Sequence, residues 1–196
     1  MKTSNKTRLL ILLAGLLFSI SSFAQDDSYI KGRWTVNLGL VPDIEYFDHG
    51  FYPRHQFMLS THYGFGKYLE VGGYCGTSKY IYMIDDYNSV GTGDKILYGL
   101  SAKAHVLPFF ITSNDFRFDL YLNSRIGIDQ LTGNPNSTYS NTQFRFHGGA
   151  GLAFYPFRHL GLFTEYGYEN HGIMDYTDHW SWEFGLVYKF RSRRGE

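Results

Sequence analysis

Only one cysteine, Cys75, occurs in the 196 residues, so the chain cannot close an internal disulfide. Secreted domains with small cores often depend on such staples, and this one must draw its stability from elsewhere. Proline is scarce, with five in the chain, and long helix-forming stretches are missing beyond the N-terminus. Charge of either sign is not in excess, since 18 Lys+Arg face 18 Asp+Glu. There is no long basic run, which argues against nucleic-acid binding. The apolar run at residues 9–18 falls short of the roughly 20 residues a helical span requires.

That short run has a different meaning. Lys2, Lys6 and Arg8 precede it, and Ser22-Phe23-Ala24 follows it. Basic, apolar, then small-x-small is the order of a secretory signal peptide. Cleavage is expected after Ala24, leaving Gln25 as the mature N-terminus. It removes three bases and no acid from the 18 of each, so the mature chain carries a charge of −3. No cysteine directly follows the apolar run, so a lipid anchor is not expected.

Aromatics are abundant, with 17 Tyr, 17 Phe and 3 Trp, alongside 22 Gly. Such residues favour strands. A mean hydropathy of −0.27 does not argue for a soluble protein, because alternating strands average towards neutral. Period-two alternation divides the mature chain into eight segments. In residues 116–129, Phe116, Phe118, Leu120, Leu122, Ile126 and Ile128 share one face. Arg117, Asp119, Tyr121, Asn123, Arg125 and Asp129 share the other. Residues 57–65, 96–106, 143–155, 160–169 and 181–190 repeat the pattern, and 34–41 and 69–82 follow it less cleanly. Long connections at 42–55, 83–94, 130–141 and 170–179 alternate with short ones at 66–68, 108–115 and 156–159. This is the plan of an all-β, eight-stranded antiparallel up-and-down barrel, with long loops outside and short turns in the periplasm. The expected organisation is a signal peptide over 1–24, a barrel over 25–190 and a short basic periplasmic tail over 191–196.

A soluble barrel would also alternate, with its apolar face inside. Three features favour a membrane barrel with a polar lumen. Glycines 99, 127, 149, 151, 167 and 185 lie on the charged face, where a narrow lumen needs room. Trp34, Phe57, Phe65, Phe116, Phe144, Phe154, Tyr168, Trp182 and Phe190 gather at strand ends, as interfacial girdles do. The signal peptide directs export. The inward charges are then Glu70, Lys103, His105, Arg117, Asp119, Arg125, Asp129, Arg145, His147, Glu165, Glu169, Glu183 and Lys189. Buried charges need partners, so a structural ion-pair network is expected, with Lys103 and Asp119 paired at similar depth.

The final segment, Glu183-Phe-Gly-Leu-Val-Tyr-Lys-Phe190, resembles the C-terminal assembly signal of outer-membrane barrels. Glu183, Gly185, Tyr188 and Phe190 fill its polar, glycine and two aromatic places, although a tail of residues 191–196 follows the last aromatic. The mature chain is similar to small OmpA/OmpX-type barrels in strand number, loop alternation and size. The resemblance implies location in a Gram-negative outer membrane and recognition by the barrel-assembly machinery. It also implies contact with outer-membrane lipid and lipopolysaccharide, and a monomeric state.

No catalytic set, cofactor or metal is expected from the sequence. The rim residues His147, His171, Asp175, Asp178, His179 and Ser181 are the candidates for lipid chemistry. Glu169-Asn-His-Gly172 resembles the histidine motif of outer-membrane lipid A deacylases, but Ile173 stands where a serine belongs. The loop acids Asp43, Glu45, Asp48, Asp85, Asp86, Asp94, Asp175 and Asp178 are suited to solubility or to cation bridges with anionic surface lipids. Loop aromatics, Tyr46, Phe47, Phe51, Tyr52, Tyr87 and Tyr139, suit adhesion. The expected role is structural or surface-interacting, with a narrow solute channel and a lipid-modifying enzyme as alternatives.

Overall fold

In the computed structural model, residues 30–42, 44–47, 50–53, 55–85, 89–110, 117–132, 141–170 and 179–191 are described. The strands are β1 (Arg33–Val41), β2 (Ile44–Phe47), β3 (Gly50–Pro53), β4 (Gln56–Gly64) and β5 (Leu69–Asp85). They continue as β6 (Ser89–His105), β7 (Phe118–Thr132), β8 (Thr142–Phe154), β9 (Leu160–Asn170) and β10 (His179–Arg191). Eight of them close a barrel in the order β1-β10-β9-β8-β7-β6-β5-β4, every pair antiparallel. Trp34 on β1 lies opposite Tyr63 on one side and Phe190 on the other, so the first strand joins the ends of the sheet. Closure removes the unpaired edges that an open sheet would expose.

The burial pattern is inside-out. Along β7, Phe118, Leu120, Leu122 and Ile126 are exposed, while Asp119, Asn123 and Arg125 are buried. The same alternation runs along β1, β4, β8 and β9. A water-soluble barrel would have these faces reversed. Strands of 9 to 17 residues meet the roughly 9–11 that a tilted strand needs to cross a bilayer. The aromatics expected in girdles lie on the outer face. Trp34 packs 5.0 Å from Tyr63, Tyr63 lies 5.2 Å from Phe65, and Phe118 lies 4.8 Å from Phe154. At the other end Tyr166 stacks 5.2 Å from Trp180, and Trp182 donates to Thr164 Oγ1 at 2.5 Å. Phe116 lies outside the described residues.

Inward glycines make room for bulky inward neighbours. A methyl group at Gly151 would stand 2.4 Å from the Tyr121 ring, and one at Gly167 would stand 2.7 Å from His147 Nε2. Strands also meet glycine to glycine, Gly39 opposite Gly185 and Gly99 opposite Gly127, so close that a Cβ at Gly185 would reach 1.9 Å from the Leu38 carbonyl oxygen.

Two connections differ from expectation. Residues 42–55 carry a small hairpin, with Ile44 opposite Pro53 and Phe47 opposite Gly50. Residues 83–94 are mostly strand. The β5–β6 ladder runs on to Asp85 opposite Ser89, with an irregularity between Met83 and Asp85. β4 stops pairing with β5 at Thr77, and β7 stops pairing with β6 at Asp94. The remainder, 78–85 with 89–93, rises above the barrel as a two-stranded ribbon. At the opposite end the turns are short, and Arg33 faces Arg191, so both ends of the barrel sequence meet there. Pro108 opens a 3-10 turn, Leu107–Phe109, which ends β6. Its fixed φ and missing N–H suit that position.

Candidate functional site in the barrel lumen

Inward positions of the strands place the polar side chains in three layers. The layer at the short-turn end joins β1, β5, β6 and β7. Arg33 Nε donates to Glu70 Oε1 at 2.8 Å, and its Nη2 donates to Asp119 Oδ2 at 3.0 Å. Thr35 Oγ1 donates to Glu70 Oε2 at 3.1 Å. His105 lies between both acids, Nδ1 at 2.8 Å from Asp119 Oδ1 and Nε2 at 3.3 Å from Glu70 Oε2, the latter a charge contact rather than an aligned hydrogen bond.

The middle layer centres on Glu165 of β9. Its Oε1 accepts from Tyr121 Oη at 2.9 Å and faces Lys103 Nζ at 3.0 Å. Its Oε2 accepts from Arg125 and from Asn123 Nδ2. Register sets Glu183 directly opposite Glu165, a like-charge pair that would repel. Arg125 relieves it, because Nη2 also lies 2.6 Å from Glu183 Oε2. Lys103 Nζ additionally rests 4.4 Å from the Tyr121 ring centroid, a cation–π contact. Nearby, His62 Nε2 lies 2.7 Å from Ser101 Oγ.

The layer nearest the long loops is built on Arg145. Its Nη2 donates to Glu169 Oε1 at 2.5 Å, and its Nη1 donates to Gln56 Oε1 at 3.2 Å and lies 3.6 Å from Asp129 Oδ1. Lys95 Nζ reaches Asp129 Oδ2 at 3.2 Å, and His147 Nδ1 lies 3.3 Å from Glu169 Oε1. In both the middle and this layer, two formal positive charges meet two acids. Two apolar clusters accompany the layers. Tyr121, Ala153, Tyr155, Phe163 and Val187 line the β7–β10 wall, and Met58, Tyr74 and Leu97 line the β4–β6 wall. An eight-stranded interior is only just wide enough for such side chains.

Of the inward charges expected from sequence, Glu70, Lys103, His105, Asp119, Arg125, Asp129, Arg145, His147, Glu165, Glu169 and Glu183 are buried in this lumen. Arg117 is not. β7 begins at Phe118, so Arg117 precedes the strand and is exposed at the rim. Lys189 is half-buried at the same rim, its Nζ 3.6 Å above the Tyr155 ring. The expected Lys103–Asp119 pair does not form. Register puts Lys103 opposite Asn123, two inward positions above Asp119, so Lys103 bonds Glu165 while Asp119 bonds Arg33 and His105. Arg33 and Lys95 were missed. Each lies one residue before the strand start read from apolar alternation, and extending the period by one residue would have found both.

Of the assembly positions, Glu183 is buried, Gly185 meets Gly39, and Tyr188 and Phe190 lie exposed on the outer face with rings 5.9 Å apart. Among the rim candidates for catalysis, His147 and Ser181 are buried in the barrel. His171, Asp175 and Asp178 lie outside the described residues, as do Asp43, Asp48, Asp86, Tyr87 and Tyr139. Among the described residues no group of three His, Cys, Asp or Glu side chains is arranged to hold a metal ion.

Residues 10–190 match the outer membrane protein beta-barrel domain family. The chain belongs to that family. The chain shares its closed barrel with solved structures of low sequence identity. The chain is similar to OprG of Pseudomonas aeruginosa at 12% identity and a TM-score of 0.58, covering 85% of this chain and 100% of that one. It is similar to Ail of Yersinia pestis at 20% identity and a TM-score of 0.51, covering 82% and 100%. The N-terminal barrel of P. aeruginosa OprF matches at 16% identity and a TM-score of 0.50, covering 82% and 98%. No curated protein matches the sequence. Similarity at this level establishes the fold, an outer-membrane barrel of eight strands, and leaves the role to be argued from the lumen and the rims.

Proposed function

We propose that the chain is a monomeric outer-membrane barrel with a structural or surface-interacting role, and that it neither conducts solutes nor modifies lipid. One observation carries this reading: the bore is crossed by successive ion-paired layers, anchored by Arg33, Arg125 and Arg145. Moving a solute through would require breaking buried pairs, each at a cost of about 3–5 kcal/mol. The working surface is then at the long-loop end, where the β5–β6 ribbon rises above the barrel. The loops and ribbon there hold Asp43, Glu45, Asp48, Asp85, Asp86, Asp94, Asp175 and Asp178 against two bases, Arg54 and Lys79. Such a surface suits divalent cations bridging to lipopolysaccharide, or a cationic partner. Planar-bilayer recording of the purified protein tests the reading. No discrete conductance steps are expected, and reproducible steps would replace it with the narrow-channel alternative. Lipid A mass spectra from a deletion strain should match the parent strain.

A further inference from the structure

We propose that the short-turn end of the barrel is a docking surface for anionic phospholipid headgroups of the leaflet in which it sits. The proposal rests on the membrane-barrel reading. Five bases ring this end: Lys31, Lys67, Arg117, Arg158 and Lys189. The acids among the described residues there are Glu70 and Asp119, each 1% exposed and ion-paired inside the lumen. Among the described residues, then, no acid is exposed on this rim, whereas the long loops are rich in acids.

The turns also present aromatic rings. Phe65, Phe109, Phe110 and Phe157 are 64–80% exposed. Tyr68 stacks on Phe109 at 4.0 Å, and Lys67 Nζ lies 5.5 Å from the Tyr68 ring. On the outer wall above the turns, Phe118 and Phe154 continue the apolar surface into the hydrocarbon-facing belt. A partner that fits must offer negative charge at the rim and apolar matter contiguous with the wall. An anionic phospholipid does both, with phosphate at the bases and acyl chains along the wall. A soluble acidic protein matches only the first. Tyr68, with an apolar ring and a polar hydroxyl, is the kind of side chain that settles at this depth, and bases near a membrane surface attract anionic lipid.

The whole chain is reconstituted in nanodiscs of phosphatidylcholine containing a minority of phosphatidylglycerol. It is then extracted in mild detergent, and the co-purifying lipids are quantified by mass spectrometry. Phosphatidylglycerol should be enriched over its input share. The combination Lys67→Gln, Arg117→Gln and Arg158→Gln should bring the ratio down towards input, by up to about fivefold per base removed. Lys79→Gln, exposed on the ribbon at the other end, should leave enrichment unchanged. If the combined variant lacks the heat-dependent gel mobility of a folded barrel, Arg158→Gln alone should show a partial drop. Folded wild type carrying lipids at the input ratio would overturn the proposal, as would equal loss with Lys79→Gln. Failure of the wild type to insert at all would overturn the membrane reading instead.

Discussion

Removing Glu165 tests whether the lumen is dry and tightly paired. In Glu165→Ala, Arg125 keeps Glu183 at 2.6 Å, but Lys103 loses the carboxylate 3.0 Å away. Tyr121 and Asn123 lose the acceptor of their hydrogen bonds. Breaking a buried ion pair costs about 3–5 kcal/mol because the remaining charge is left without a partner. Each deprived neutral donor would add about 1–3 kcal/mol if counted alone. These contributions share one desolvated space and overlap, so the expected loss is about 4 kcal/mol in total. Urea unfolding in phospholipid vesicles, followed by fluorescence of Trp34, Trp180 and Trp182, measures it. Replacing both partners, Lys103→Met with Glu165→Gln, should destabilise less than the sum of the single changes, with a coupling of about 0.5–3 kcal/mol. A loss under about 1 kcal/mol is what a solvent-exposed pair gives. That result would mean water fills the bore, and would refute both the dry network and the closed-lumen reading built on it.

The wall should show the opposite polarity: Ile126→Arg, on the outer face beside the middle layer's Arg125, is expected to cost about 2–4 kcal/mol near the bilayer midplane. In a Cys75→Ser background, a fluorophore on a cysteine at 120 should be quenched strongly by brominated lipid, and one at 119 weakly; the reverse order would invert the barrel faces. Gly151→Ala places a methyl group against the Tyr121 ring, and should lower stability by about 1–3 kcal/mol through overpacking, read from the urea midpoint. Mass determination of the exported protein should give a chain beginning at Gln25; retention of Met1 would remove the signal peptide.

The charged face of β7 shows how far pattern reading reaches. Asp119, Arg125 and Asp129 could be placed in the lumen from alternation alone, because a period of two leaves a side chain only two faces to occupy. Glycines on that same face, such as Gly151 and Gly167, indicated which face was crowded. The ends of strands were harder to place. Apolar alternation fades where a strand leaves the hydrocarbon, so Arg33 and Lys95 fell just outside the segments and Arg117 fell just inside one. The β5–β6 ribbon, read as a loop at 83–94, lies beyond the bilayer, where no lipid-facing alternation is required to mark a strand.

By itself, the sequence determined the architecture: eight strands, alternating loop lengths, a polar face and an apolar one, and aromatics at the strand ends. These follow from local periodicity and from what a bilayer demands of a closed sheet. Only the tertiary structure decided which charge meets which. Pairing in the lumen depends on the stagger of neighbouring strands and on which walls face each other across the bore. Lys103 and Asp119 lie close in a linear reading of depth, yet a register that sets Lys103 opposite Asn123 sends it to Glu165 on β9, and brings Arg33 from the first strand to Asp119. A contact across 86 residues of chain is fixed by barrel closure, which no local pattern encodes.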